Sequence, residues 1–491
     1  MNYIKKLAGE TMIYGMGTIV PRLLNFLLLT PFYTRVLSTI AEYGVITELY
    51  SYTAFLMVFL TYGMETAFFR YANNSKNSNS AFTTSLISLS FTSFLFIIFI
   101  LSFSHSIADI IRYSNNYEYI IYIGFIVAID AVSSIPFARL RYQNKARKFA
   151  VLKIVNVLIN ISCNFLFFVV FPALIKKSEF SFLSAVYSAD IGVGYAFISN
   201  LIASTITFIL LIPDIFSIKF EFDKKLLKQM LVYAFPLLIV GTAGMINEVS
   251  DKFLLKYLLP KNVNAMKQIG IYGANYKIAV LMTIFIQMFK YAAEPFFFKQ
   301  ANKKNSKAIY AEVMKYFVAF GLLIFLGVTL YIDIFKHFID ARFYSGLRIV
   351  PIVLLANLFL GIFYNLSVWY KINNLTKYGA YIALFGATIT IILNFIFIPK
   401  IGYMASAWAT FICYFTMMIS SFFLGRKFYL VKYDLKGIMI FFASALILFF
   451  IDNQIYIDNF FIAFFVKAIL ILIFIVIFMF KEKIKLSDIK R

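Results

Sequence analysis

Arg22 stands inside a long apolar stretch, Thr11 to Leu37, directly after Pro21. A guanidinium there is too deep to reach either end easily, and an ionised side chain at the centre of a hydrocarbon-spanning helix costs about 2.5–3.5 kcal/mol on insertion scales. It needs a partner or a water-filled cavity. Either it lines a cavity for an anion, or it forms a buried pair with a helical carboxylate. Pro21 removes a backbone donor and is placed to break the helix ladder beside it. A second group, Glu248, Asp251 and Lys252, is spaced i, i+3 and i+4, which puts the three on one helical face. Lys277, Gln287 and Lys290 follow in the next apolar stretch. Arg22, Lys252 and Lys277 together suggest a cationic cavity that binds an anion through charge-assisted hydrogen bonds. Lys252 and Lys277 read equally well as structural ion-pair residues, and Lys290, nearer a basic loop, as an anchor for lipid headgroups. Glu48, Glu248 and Asp251 are the carboxylates that a cavity coupled to a cation would use.

Composition sets the elements that must carry these charges. Of 491 residues 62% are hydrophobic and the mean hydropathy is +0.83, well above the roughly 45–50% apolar content of soluble domains. Long apolar runs in hydrocarbon must satisfy their amides internally, as helices or closed barrels. Runs such as Phe94 to Leu101 and Ile469 to Phe480 are apolar on every face and lack the alternation of barrel strands. The chain reads as an all-α integral membrane protein with about fourteen transmembrane helices. They fall near 12–34, 44–66, 81–103, 119–138, 150–172, 190–213, 231–257, 270–290, 313–334, 347–370, 378–398, 401–424, 437–452 and 458–480. The first stretch is too long for the apolar core of a signal peptide and is expected to stay as the first span.

An even number of crossings puts both termini on one side. Basic clusters recur at Arg139 to Lys148, Lys224 to Lys228, Lys299 to Lys307, Arg426 to Lys432 and in the tail from Lys481. With the termini cytoplasmic, roughly 29 Lys and Arg lie inside and roughly 9 outside, a strong positive-inside bias. Most of the net charge of +23 is then turned toward anionic membrane lipids, and no nucleic-acid module accompanies it.

The chain also repeats itself. At an offset of 229, Tyr43-Gly44 aligns with Tyr272-Gly273 and ETAFFRYAN from Glu65 with EPFFFKQAN from Glu294. At 230, Arg141, Asn144, Arg147, Ala150, Asn164 and Phe165 align with Lys371, Asn374, Lys377, Ala380, Asn394 and Phe395. Gly194-Tyr195 matches Gly402-Tyr403 at 208, which requires about 22 extra residues in the first copy, near 173–193. Six spans return the chain to its starting side, so the copies form two parallel six-helix bundles about an axis along the membrane normal, with substrate between them. The expected divisions are 1–213, 214–424 and, for two extra helices with a basic tail, 425–491. The repeat-related Glu65 and Glu294 are each followed five residues later by a cation, Arg70 or Lys299. They either pair across the pseudo-two-fold as a cytoplasmic gate or are helix-end charges solvated in the interface.

Enzyme chemistry finds little support. His105 and His337 are far apart in sequence, Cys163 and Cys413 lie in apolar segments, and no metal-ligand spacing or P-loop is present. No metal or cofactor is expected, and ATP-driven pumping by this chain alone is excluded. Coupling to Na⁺ or H⁺ is left open. Gly192 and Gly194 form an isolated pair with little signal of their own.

Several segments carry a family resemblance: TMIYGMGTIVPRLLNFLLLTPFYTRVLS and AEYGVITELYSY at the start, YAFPLLIVGTAG, DKFLLKYLL and IGIYGANYKI in the second half, and NFIFIPKIGYMASAWAT later. In this layout the chain resembles the polysaccharide-export branch of the MOP (MATE-like) superfamily, the Wzx-type flippases of lipid-linked oligosaccharides. The resemblance covers most of the chain through diffuse patterns. It implies two six-helix bundles in a V, often with two further C-terminal helices, that turn an undecaprenyl-diphosphate-linked glycan from the inner to the outer leaflet of a bacterial inner membrane. It also implies cations in the central cavity, which Arg22 fits well and Lys252 and Lys277 fit less closely, and polysaccharide polymerase or ligase machinery as partners. An inside-negative potential favours outward movement of an anion by about 2.3 kcal/mol per charge per 100 mV. The rival within the superfamily is a multidrug exporter exchanging an organic cation for Na⁺ or H⁺, in which Glu48, Glu248 and Asp251 would dominate the cavity. A membrane-embedded polymerase or ligase would need a larger outer loop than any here. The glycan, and whether the product is O-antigen, capsule or another polymer, are not encoded in any motif.

Overall fold

The computed structural model describes residues 17, 19–72, 78–176, 187–300, 303, 305–373, 375–455 and 457–483. Every regular element among them is helical. The helices are α1 (19–36), α2 (Ile40–Ala72), α3 (Ser78–Ile110), α4 (Glu118–Tyr142), α5 (Ala146–Lys176), α6 (Gly194–Ile215), α7 (Lys224–Leu258), α8 (Ala265–Ile278, continued as Val280–Phe298), α9 (Ser306–Leu330), α10 (Ala341–Ile372), α11 (Lys377–Ile401), α12 (Tyr403–Phe428), α13 (Leu435–Gln454) and α14 (Phe460–Glu482). Twelve of the described helices are long and apolar enough to span a bilayer, and thirteen if the two parts of α8 count as one span. The opening span expected at 12–34 begins in residues outside the described ones, so the expected fourteen are met by twelve or thirteen.

Local chemistry explains where helices start. Thr39 caps α2 by accepting from the Glu42 amide, while the Glu42 carboxylate reaches back to the Ser38 amide at 2.9 Å, a capping box displaced by one residue. Asn264, Asp434 and Asn459 accept from first-turn amides of α8, α13 and α14, satisfying donors that have no partner within the helix. Breaks are equally local. Tyr62 and Gly63 take left-handed φ values of 33° and 72° inside α2. A Cβ at Gly63 would lie 3.1 Å from the Ala234 carbonyl oxygen, so glycine serves both the turn and the close approach. In α8 the Ala279 amide donates to Tyr276 and the Met282 amide to Ala279, each at 3.1 Å. These i−3 bonds replace the usual ladder at a 50° bend.

Two helices contain π-helical segments, Asn25–Leu29 in α1 and Leu166–Val170 in α5. Each ends two residues before a proline, Pro31 or Pro172. A proline ring clashes with the carbonyl four residues back and offers no N–H, and a widened turn at that position relieves both faults. The second segment packs against the turn that follows the first: Phe168 lies edge-on to Phe32 and Tyr33, and the Tyr33 hydroxyl donates to Asn164 Oδ1 at 2.7 Å.

The chain packs as two compact units, Met1–Phe253 and Leu254–Arg491. Met230 and Ala234 of α7 belong to the same core as Phe68, Phe82 and Leu86. In the second unit α13 and α14 pack on α9. Phe325 meets Phe449, Tyr316 meets Phe478, and ion pairs Lys315–Glu482 and Asp333–Lys467 lie toward opposite ends of the helices. Large apolar side chains such as Phe91, Phe94, Phe99, Phe461 and Phe480 are exposed, an exposure suited to lipid and costly in water.

The internal repeat survives at the level of hydrogen bonds. Asn164 donates to the carbonyl of Asn160 and accepts from Tyr33; Asn394 donates to the carbonyl of Thr390 and accepts from Ser406. Both asparagines are fully buried, and both use the amide to hold a helix turn while the carbonyl binds a neighbouring helix. Tyr43 and Tyr272 are buried alike.

Candidate functional site

The first unit gathers charges within its apolar helices. Asp130, from the middle of α4, is hydrogen bonded to Ser204 of α6 and interacts with Lys153 of α5. Lys153 in turn interacts with Asp130, Arg141, Glu65 and Arg22, and its ammonium lies 4.0 Å from the centre of the Phe137 ring. Arg141 and Glu65 form an ion pair, joining the end of α4 to the last helical turns of α2. The five charges, spread over four helices, form a loose group about Lys153, which Asp130 and Glu65 attract and Arg22 and Arg141 repel; of these, Arg141 and Glu65 are in ion-pair contact.

The Glu65 and Arg141 side chains are about a third or more exposed at their ion pair. Nearby, Asn156 donates to the Thr207 hydroxyl at 3.0 Å. Arg139 donates to the Asp214 carbonyl at 2.6 Å, and the Asp214 carboxylate pairs with Lys148. These contacts fix α4, α5 and α6 around the cluster.

Among the residues singled out from sequence, Arg22 joins this cluster with its side chain exposed. Lys252 is buried, with its ammonium 2.8 Å from Asp251 Oδ1 and 2.9 Å from the Glu248 carbonyl. The i, i+3, i+4 face is therefore used as a local pair of neighbours, with the Glu248 carboxylate exposed. Glu48 is fully buried and accepts from the Tyr113 hydroxyl at 2.5 Å. Lys277 is exposed in the last turn before the α8 bend. Glu65 engages Arg141, and the Arg70 guanidinium lies 4.2 Å from the Tyr233 ring centre. The side chains of Glu294 and Lys299, the other half of the expected gate, lie outside the described residues. Asp130 and Lys153 are not among the residues singled out from sequence; a carboxylate and an ammonium in consecutive spans is the signal that would have found them. Among the described residues no group of three or more His, Cys, Asp and Glu side chains is arranged to hold a metal.

Comparison with known proteins supplies the frame for this geometry. The model of the family described as "Polysaccharide biosynthesis protein" matches residues 7–301, more than half of the chain. The fold is similar to that of the lipid II flippase MurJ in an inward closed conformation, at TM-score 0.74 and 17% identity over 96% of this chain and all of that one. It is also similar to a multidrug resistance MATE family transporter of the MOP superfamily, at TM-score 0.64 and 14% identity for the inward-facing form and 0.57 and 13% for the outward-facing form. Both MATE matches cover 85% of this chain, with 97% and 95% of the respective structures. No curated protein sequence matches this one. The chain is a multi-pass membrane protein that belongs to the polysaccharide biosynthesis protein family, with a fold similar to those of MurJ and of a MATE transporter.

Proposed function

We propose that this protein is a flippase that moves an undecaprenyl-diphosphate-linked oligosaccharide from the cytoplasmic to the outer leaflet by alternating access through a cationic cavity. The product feeds surface polysaccharide assembly by polymerase or ligase machinery. The observation that carries the reading is the excess of cations about Lys153, where Arg22 and Arg141 face the carboxylates Asp130 and Glu65 among the described residues, in a chain of the polysaccharide biosynthesis family. A diphosphate is a compact, acceptor-rich anion, and such a cluster in a low-dielectric setting binds it with both charge and direction. Export of the anion is favoured by an inside-negative potential.

A second reading, cation-coupled export of an organic cation, is favoured by one feature, the Asp130 carboxylate within the apolar helices. One experiment separates the two. Proteoliposomes are loaded with a lipid-diphosphate oligosaccharide or with a cationic dye, and wild type is compared with Arg22→Ala, Lys153→Gln and Asp130→Asn. The flippase reading expects glycan translocation that falls at least about ten-fold in Arg22→Ala and Lys153→Gln, corresponding to about 1.4 kcal/mol or more, with no dye transport. Dye transport lost in Asp130→Asn, without glycan movement, replaces it with the exporter.

A further inference from the structure

At one end of the second unit, the continuation of α8, the start of α9, and the ends of α10 and α12 converge. Tyr310 of α9 donates to the Phe297 carbonyl at 2.8 Å, and Trp369 of α10 stacks on Phe428 and donates to Ser421 of α12. Between α8 and α10 lies a narrow, open cleft. Its walls are apolar, with Phe289, Phe297 and Val368 prominent, yet Lys290 and Lys371 line it as well, together with the side chains of Tyr364 and Ser367.

On α10 the Ser367 hydroxyl donates to the Tyr364 carbonyl at 2.6 Å, while its amide donates to the Phe363 carbonyl and its own carbonyl accepts from the Lys371 amide. On the facing helix the Lys290 ammonium lies 4.7 Å from the centre of the Tyr364 ring. The surroundings add positive charge: Lys307 lies over Tyr429, and Arg426 and Lys427 close α12.

Two ammonium groups beside phenyl and aliphatic walls specify an amphiphile with an anionic head. A free sugar would leave the phenyl walls uncovered. We propose that this cleft holds the phosphate of an anionic glycerophospholipid from the leaflet at this end of the molecule, with Lys290 and Lys371 on the phosphate and the adjoining acyl chain against Phe289 and Phe297. The site is separate from the Arg22–Lys153 cluster and stands whatever the cargo is.

The test is lipid retention by the full-length protein, read by native mass spectrometry during titration with phosphatidylglycerol or with phosphatidylcholine of equal chain length. Variants are Lys290→Gln/Lys371→Gln, the charge-conserving Lys290→Arg/Lys371→Arg, and Lys307→Gln as a basic control outside the cleft. Thermal unfolding of each variant checks folding. Preferential retention of phosphatidylglycerol is expected, weakened about five-fold per lysine removed, kept by the arginine pair and unchanged in Lys307→Gln. Equal retention of both lipids, or equal loss in Lys307→Gln, overturns the proposal. Displacement of phosphatidylglycerol by a prenyl diphosphate, itself dependent on Lys290 and Lys371, overturns it in favour of a cargo site. If the glutamine pair fails to fold, the arginine pair decides: loss of the lipid preference in that folded variant overturns the proposal.

Discussion

A charge inside a membrane helix is informative only when its partner is known. Glu65 engages Arg141 in this structure. Single reversals, Glu65→Arg or Arg141→Glu, should lower translocation, and the double reversal should recover most of it. Both side chains are about a third or more exposed, at 42% and 34%, so the stability change in detergent should stay within about 1 kcal/mol. A double reversal no more active than the singles, as read in proteoliposomes, would remove this pair from the mechanism. The buried asparagines make a sharper case. Tyr33→Phe should cost about 1 kcal/mol, in line with interhelical hydrogen bonds measured in membranes, and its effect should couple to Asn164→Leu in a double-mutant cycle on thermal unfolding. Additive effects would mean that the hydroxyl and the amide act independently.

At the scale of elements, the spans were legible because hydrocarbon demands long apolar helices, and Phe94 to Leu101 or Ile469 to Phe480 admit no other reading. The repeat was legible because Asn164 and Asn394 were kept at matching places among interchangeable apolar residues. The π segments were not, since Pro31 and Pro172 announce only a disturbed ladder, and packing decides between a kink and a widened turn. Lys153 escapes notice because it stands close to the start of its span, where a lysine reads as interfacial. Its company of Asp130, Glu65, Arg141 and Arg22 is a tertiary fact. The docking of α14 is likewise tertiary. Beyond the end of α9, Lys336 and then Lys467 hydrogen bond Asp333 and hold its carboxyl below the usual aspartate range, against the opposing effect of burial. A depressed folded-state pKa contributes stability that is complete above the unfolded value, near 3.9, and is lost as pH falls through the folded value. The melting temperature of wild type should therefore exceed that of Asp333→Asn at neutral pH and converge on it below about pH 4. A constant difference down to pH 2 would show that the carboxylate's charge plays no part.

For the whole molecule, the orientation read from loop charge is open to direct test. Single cysteines replacing His105 or His337 should react with an impermeant maleimide from outside intact cells, and those replacing Lys225 or Lys427 only after permeabilisation, in a background with Cys163 and Cys413 changed to serine. Reversed labelling would invert the proposed direction of transport along with the topology. The fold comparisons sharpen what is at stake: MurJ and the MATE transporters share this architecture, so architecture alone does not select a cargo, and the charges mounted on it must.

The paired π segments bear on the length of the protein over evolutionary time. Removing one residue from an α-helix turns everything beyond it by about 100°, which carries a whole face of side chains out of register. A π segment already holds one residue more than the α ladder needs, so loss of a residue within 25–29 or 166–170 leaves both flanking stretches facing as before, while returning the Pro31 or Pro172 ring to the carbonyl four residues back. Tyr33 would still meet Asn164. A lost codon is therefore expected to be tolerated in these two short segments where the proline that follows is replaced as well.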